Sequence, residues 1–129
     1  MNNPTERSVP SCLLVIDDEQ ETNDYLRTYF QRLGLEVLTA TTGEEGLEIL
    51  AAQRPSLVLL DLRLGQGLSG IEVLRRAKAS KIPAEIVVVT AVGDQNVAAM
   101  AKGLGAADYL TKPFLLEDLE RVVLSRLKG

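Results

Sequence analysis

Short apolar runs alternate along this chain with segments in which apolar residues recur every three or four positions. The runs are too short for buried helices, so each one predicts a β-strand. The predicted strands are residues 12–16, 35–39, 57–60, 86–89 and 106–111. A helical segment follows each of them, which predicts a βα unit repeated five times. The first, third and fourth runs are apolar on both faces, as in the buried centre of a parallel sheet.

Repeated βα units with right-handed crossovers place helices on both faces of one parallel sheet. The predicted fold class is therefore α/β, a doubly wound five-stranded parallel sheet of flavodoxin-like strand order 2-1-3-4-5. Two helix starts have capping-box spacing, Thr42 with Glu45 and Ser69 with Glu72. The fourth helix is predicted at residues 94–102, before two glycines that suit a C-terminal cap.

The length and composition of the chain fit one folded domain at residues 12–129, preceded by a flexible N-terminal arm at residues 1–11. There are 14 basic and 18 acidic residues, a formal charge of −4, and no dense basic cluster. We therefore expect no direct binding of nucleic acid. No apolar run approaches the roughly 20 residues that cross a bilayer, and no signal peptide pattern opens the chain. We expect a cytoplasmic protein with no membrane association.

Polar side chains follow the predicted strands at the points where they end. In open α/β sheets, ligands bind outside the carboxyl ends of the strands. The residues found there are Asp17, Asp18, Asp61, Thr90 and Lys112, and the chain has no histidine that could serve as base or ligand. Three carboxylates about 4 to 6 Å apart would repel by roughly 1 to 4 kcal/mol per pair. Such a cluster calls for a cation, and Mg²⁺ suits oxygen ligands.

Four stretches in order resemble the receiver domains of response regulators in two-component signalling. They are residues 15–19 (VIDDE), 57–61 (LVLLD), 88–91 (VVTA) and 108–114 (DYLTKPF). The resemblance covers residues 12–127 and implies a signalling switch rather than an enzyme. By that resemblance, Asp61 accepts a phosphoryl group from a sensor histidine kinase or phosphotransfer protein. The other implied partner is a downstream effector protein or effector domain, which reads a change in the surface formed by the fourth helix, fifth strand and fifth helix.

The resemblance also implies roles for the neighbours of the acceptor. Asp18, Asp61 and the backbone carbonyl of Arg63 would bind Mg²⁺ directly, with Asp17 acting largely through water. Lys112 would face the ion from the other side of the phosphoryl group.

Two further residues would carry the signal. The hydroxyl of Thr90 would bind a phosphoryl oxygen and pull the loop after the fourth strand toward the site. Tyr109 would turn inward as Thr90 moves, although an edge-strand tyrosine with no role is the alternative. The peptide bond between Lys112 and Pro113 is expected to be cis, as in relatives.

The segment after Asp61 departs from the family pattern. Receivers usually have a proline at the position that Gly65 occupies, followed by a glycine eight positions after the acceptor. Here Gly70 lies nine positions after Asp61. The loop is one residue longer and richer in glycine, so we expect it to be more mobile.

Two other functions compete with the receiver hypothesis. A haloacid dehalogenase-like Mg²⁺-dependent phosphohydrolase also forms an aspartyl phosphate, but it needs a second acid two residues after the nucleophile, where this chain has Arg63. A non-phosphorylated pseudo-receiver would act only as an interaction module. The presence of Asp61, Thr90 and Lys112 argues against it.

Overall fold

The computed structural model describes residues 11–91 and 95–127. Five strands alternate with five helices in this part of the chain. In chain order they are β1 (Cys12–Ile16), α1 (Gln20–Arg32), β2 (Glu36–Ala40), α2 (Gly43–Gln53), β3 (Leu57–Asp61), α3 (Gly70–Ala79), β4 (Glu85–Ala91), α4 (Gln95–Gly103), β5 (Asp108–Lys112) and α5 (Leu116–Leu127). The strands are parallel and lie in the order β2-β1-β3-β4-β5. The predicted fold class and strand order are confirmed.

Several predicted bounds differ from the structure by one or two residues, and two predicted segments include residues outside the described part of the chain. The fifth strand was predicted from residue 106, but β5 begins at Asp108, because the N–H of Ala106 donates instead to the carbonyl of Ala101 in α4. Of the predicted flexible arm, only Ser11 lies within the described residues, and Asp94 also lies outside them. In the described part of the chain, no helix combines the length and apolar character needed to cross a membrane.

The sheet is buried on both faces, which explains the uninterrupted apolar runs. Successive residues of a strand point to opposite faces. In β1, Leu14 and Ile16 pack into an apolar layer with residues of α2, α3 and α4, whereas Leu13 and Val15 pack with residues of α1 and α5. All five residues of β3 are buried. The central strands are therefore fixed by apolar packing on two sides, and their carboxyl ends are held at one edge.

Each of the two predicted capping boxes forms only one of its two hydrogen bonds. The side chains of Thr42 and Ser69 accept hydrogen bonds from the N–H groups of Glu45 and Glu72, each at 3.1 Å. The return bonds are absent: the Glu45 carboxylate accepts from the N–H of Thr41, and that of Glu72 pairs with two arginines of α3. The helix starts were predicted correctly, and the reciprocal bonds were not.

Helices α4 and α5, which flank β5, are held to the molecule differently. In the described part of α4 the buried side chains are Ala98 and Ala101. In α5 they are Leu119 and Val123. Two polar contacts also fasten α5: the hydroxyl of Tyr29 in α1 donates to Glu120 of α5, and Arg126 of α5 donates to the carbonyl of Ala107 at 3.1 Å. Lys102 of α4 donates to the same carbonyl at 3.2 Å. The two helices therefore differ in that α5 buries larger side chains and is also bonded to α1.

Asn23 joins the ends of two strands from within α1. It is fully buried, and its side-chain amide donates to the carbonyl of Asp17, at 2.9 Å, and to that of Ala40, at 3.2 Å. These carbonyls lie at the carboxyl ends of β1 and β2. Asn23 therefore fixes the backbone at the point where the acidic segment leaves the sheet.

We predict that Asn23→Ala lowers the free energy of unfolding by about 2 kcal/mol, because it removes two buried hydrogen bonds and leaves the carbonyl of Asp17 short of a donor. Urea denaturation would measure the change. Thr28→Ala is the matched control, since Thr28 lies on the exposed side of the same helix. Equal unfolding midpoints for the two variants would contradict this role of Asn23.

Candidate functional site

The structure brings the three predicted carboxylates together at the carboxyl edge of the sheet. One carboxylate oxygen from each of Asp17, Asp18 and Asp61 lies within 4.8 Å of the others. Asp17 and Asp61 are buried, and Asp18 is exposed. The strand order explains the cluster: β1 and β3 are hydrogen-bonded neighbours, so acids at their carboxyl ends must meet.

Lys112 closes one side of this acidic cluster. Its ammonium nitrogen lies 3.0 Å from Oδ2 of Asp61 and 3.3 Å from Oδ2 of Asp17. Lys112 is the last residue of β5, and its long side chain reaches past β4 to the end of β3. The peptide bond between Lys112 and Pro113 is cis. A single ammonium group thus contacts two carboxylates that come from different strands.

The environment of Asp61 opposes its ionisation on balance. Burial raises the pKa of the Asp61 carboxyl, and so does the charge of Asp17. The N–H of Arg63 and the ammonium of Lys112 lower it. The net change in the pKa is upward. The N–H of Arg63 donates to Oδ1 of Asp61 at 2.8 Å. The ionised carboxylate is therefore held in the folded protein at a cost in stability.

The pKa of Lys112 responds to the same contacts in the opposite sense. Partial burial lowers it, but the hydrogen bond and charge of Asp61 and the charge of Asp17 outweigh burial, so the pKa of Lys112 is raised. The raised pKa of Asp61 disfavours the ion pair, whereas the raised pKa of Lys112 favours it. They differ because Asp61 is the more buried partner and also faces a second acid, whereas the side chain of Lys112 is 35% exposed. The ammonium is stabilised, and the acids are over-crowded.

We predict that Asp61→Asn raises the free energy of unfolding of the metal-free protein at neutral pH, by on the order of 1 kcal/mol, by removing a crowded buried charge. The folded-state pKa of Asp61 lies above the unfolded value. The wild type therefore loses stability as the pH rises from the unfolded to the folded pKa. The advantage of the asparagine variant should therefore be absent at low pH and grow toward neutrality.

Urea denaturation at a series of pH values would measure this difference. Asp24→Asn is the control, because Asp24 is an exposed carboxylate of α1 that pairs with Arg27, outside the cluster. The same pH-dependent gain in both variants, or a loss of stability in Asp61→Asn at neutral pH, would show that the acids are not crowded.

The two predicted switch residues lie on neighbouring strands. Thr90 of β4 is buried, directly after Val89, which is the register partner of Asp61. Its hydroxyl lies 3.5 Å from the carbonyl oxygen of Leu110, a long and weak hydrogen bond. Tyr109 of β5 is 44% exposed. Thr90 is therefore at the level of the acidic cluster, while the ring of Tyr109 stands at the outside.

The loop after Asp61, residues 62–69, begins against the acidic cluster. The N–H of Arg63 contacts Asp61, and the N–H of Gly65 donates to Oδ2 of Asp18 at 3.0 Å. The sequence did not predict the contact of Gly65 with Asp18, because no sequence pattern links these residues, which are 47 positions apart. The loop after Asp61 therefore touches two of the three acids.

The far end of this loop is held by close packing. A Cβ atom on Gly70, the first residue of α3, would lie 2.4 Å from the Cα of Leu62. Only glycine allows this approach of two backbone segments. In addition, the N–H of Leu68 donates to the carboxylate of Glu44 in α2 at 3.2 Å. The expected greater mobility of the loop stays a prediction.

Comparison with known families agrees with this geometry. The family model described as the response regulator receiver domain matches residues 13–124, most of the chain. The chain belongs to this family. The sequence resemblance is thereby confirmed, and the residues of the acidic cluster lie within the matched range.

Individual relatives of this receiver domain differ in length. Sporulation initiation phosphotransferase F of Bacillus subtilis is 32% identical over 111 residues, 86% of this chain and 89% of that protein. The alkaline phosphatase synthesis transcriptional regulatory protein PhoP of the same species is 37% identical over 102 residues, 79% of this chain but 42% of that protein. The crystal structure of the receiver domain of NtrX from Brucella abortus superposes with a TM-score of 0.84 at 30% identity, covering 91% of this chain and 98% of that one.

These names bear on the predicted partners. PhoP is named a transcriptional regulator, and this chain spans less than half of its length. The expectation that this chain does not bind nucleic acid therefore gains no support from its relatives and stays a prediction.

Proposed function

We propose that this receiver domain is a phosphoacceptor switch in which Asp61 takes a phosphoryl group from a phosphohistidine of a sensor histidine kinase or phosphotransfer protein. The single observation that supports this most is that one buried carboxylate contacts an ammonium group, at 3.0 Å, and has oxygens of two further acids within 4.8 Å. An acid that served only to stabilise the fold would gain nothing from such crowding.

The acidic cluster fits a divalent cation. Three carboxylates, two of which contact the ammonium of Lys112, leave a formal charge of −3 + 1 = −2, and oxygen donors of this kind are those that Mg²⁺ prefers. Asp18, Asp61 and the backbone carbonyl of Arg63 would bind the ion directly, and Asp17 would bind through water. When bound, Mg²⁺ would neutralise charge on the transferred phosphoryl oxygens.

The residues of the chain would then have few tasks beyond positioning. A carboxylate oxygen of Asp61 attacks the phosphorus atom while the bond from phosphorus to the donor nitrogen breaks, which yields an acyl phosphate. Lys112 already lies within hydrogen-bonding distance of Asp61 and would stabilise the oxygens of the incoming group. The N–H of Arg63 holds the other oxygen of the same carboxylate and so fixes its orientation.

The output follows from Thr90 and Tyr109. Since the hydrogen bond of Thr90 to Leu110 is long, its hydroxyl can turn to a phosphoryl oxygen at little cost. The loop after β4 would follow, and Tyr109 would rotate inward from its exposed position. The surface formed by α4, β5 and α5 would change shape, and a downstream effector protein or effector domain would read that change.

The alternatives have weaker support. A phosphohydrolase of the haloacid dehalogenase type would need an acid at the position of Arg63, whose side chain is exposed. A pseudo-receiver would not need the contacts of Lys112 with Asp17 and Asp61.

We predict that the protein, mixed with Mg²⁺ and acetyl phosphate, gains the mass of one phosphoryl group in intact-mass spectrometry. Asp61→Asn should gain none, and removal of Mg²⁺ with a chelator should abolish the gain in the wild type. Thr90→Ala is the matched control, because it leaves the acceptor in place and should still be phosphorylated. Steady turnover of varied phosphomonoesters would point to the hydrolase, and a wild type that gains no mass would point to the pseudo-receiver.

We also predict that Tyr109 changes environment on activation. The chain has three tyrosines and no tryptophan, so fluorotyrosine labelling yields a simple ¹⁹F spectrum in which Tyr109→Phe assigns the signal. Addition of Mg²⁺ and beryllium fluoride, a phosphoryl mimic, should shift that signal in the wild type and not in Thr90→Ala. A signal that stays fixed in the wild type would assign Tyr109 no part in the switch.

A further inference from the structure

We propose that Gly65 is a positioning residue for Asp18, which it holds in place for the metal ion through its backbone N–H and through its lack of a Cβ atom. This inference rests on the proposed function, in which Asp18 is a ligand of Mg²⁺. Gly65 takes no part in the reaction and acts only through the carboxylate of Asp18.

The three acids of the cluster are held by different groups. Lys112 contacts Asp17 and Asp61, and the N–H of Arg63 adds a second bond to Asp61. Asp18 has neither of these contacts and is the exposed member of the three. Among residues 11–91 and 95–127, the hydrogen bond that restrains its carboxylate is the one from the N–H of Gly65, at 3.0 Å. An exposed carboxylate without such a restraint would lose more side-chain entropy on binding an ion.

The second property of Gly65 is steric. A Cβ atom at this position would lie 2.9 Å from Oδ2 of Asp18, closer than real Cβ atoms approach an oxygen. The backbone of Gly65 is outside the left-handed region, since its φ is not among the positive values of the chain. Alanine can therefore adopt the backbone of Gly65, but it displaces the carboxylate of Asp18. Proline at this position would have no N–H to donate.

Both properties act on the same oxygen atom. Ligating carboxylates in metal sites are themselves hydrogen-bonded, and loss of such an outer contact typically weakens metal binding about 10- to 100-fold. Gly65 supplies this contact from the loop between β3 and α3. Within the described residues, this contact is the restraint on the carboxylate of Asp18.

The test is a Mg²⁺ titration of the full chain by isothermal titration calorimetry. Gly65→Ala keeps an N–H at position 65 but displaces the carboxylate of Asp18 from it, so it should weaken Mg²⁺ binding about tenfold, while its free energy of unfolding without metal stays that of the wild type. Gly103→Ala is the matched control, because a Cβ atom there would meet nothing within 4 Å. It should bind Mg²⁺ as the wild type does.

A double-mutant cycle separates a specific role from a general one. If Gly65 acts through Asp18, then Gly65→Ala should weaken Mg²⁺ binding no further in an Asp18→Asn background. Additive losses would overturn the inference. A measurement that leaves position 65 unchanged is the Gly65 amide proton resonance, which should move in Asp18→Asn and not in Glu19→Gln; a resonance that stays in place would also overturn it.

The two proposals fail in different ways. If the wild type binds Mg²⁺ and Gly65→Ala binds it equally well, the positioning role of Gly65 is wrong and the phosphoacceptor function stands. If the wild type binds no Mg²⁺, the proposed function is wrong, and the inference is wrong with it.

Discussion

The meeting of three carboxylates with one lysine is the constraint on which the rest of this structure depends. Like charges at such distances repel by amounts comparable to the contribution of a well-packed side chain. The fold tolerates them because Lys112 contacts two of the acids and because the strands beneath are fixed by packing on both faces. The apolar sheet thus provides the rigidity, and the edge of the sheet holds the electrostatic strain.

The order of the strands converts this sheet into a site. Residues that are 44 positions apart, Asp17 and Asp61, become neighbours because β3 pairs beside β1 and not after β2. Asn23 then fixes the backbone of Asp17 from below. Lys112 arrives from the end of β5, with β4 between it and β3. Each element of the site is placed by a backbone constraint, so little is left to the conformational freedom of single side chains.

The sequence predicted the parts of this protein that follow from periodicity and from strand ends. Runs that are apolar on both faces predict buried parallel strands. Because ligands bind outside the carboxyl ends of such strands, the acids found there, Asp17, Asp18 and Asp61, are predicted to meet. Contacts between one side chain and a distant backbone group leave no such pattern. The bonds of Asn23 to Ala40 and of Gly65 to Asp18 are of that kind. The caps formed by Thr42 and Ser69 were predicted because they depend on residues three positions apart. The partners of the Glu45 and Glu72 carboxylates were not, because these carboxylates bind other donors that lie near them in space.

The unequal attachment of α4 and α5 has a consequence for how this domain deforms. A helix that buries alanines gives up little apolar area when it shifts, so its displacement is inexpensive. Both helices donate to the carbonyl of Ala107, but α5 is also bonded to α1, so it cannot slide without breaking polar contacts on two sides. The edge of the sheet beside β5 is therefore flanked by two unequally attached helices, and a disturbance there is expected to displace α4 more readily than α5.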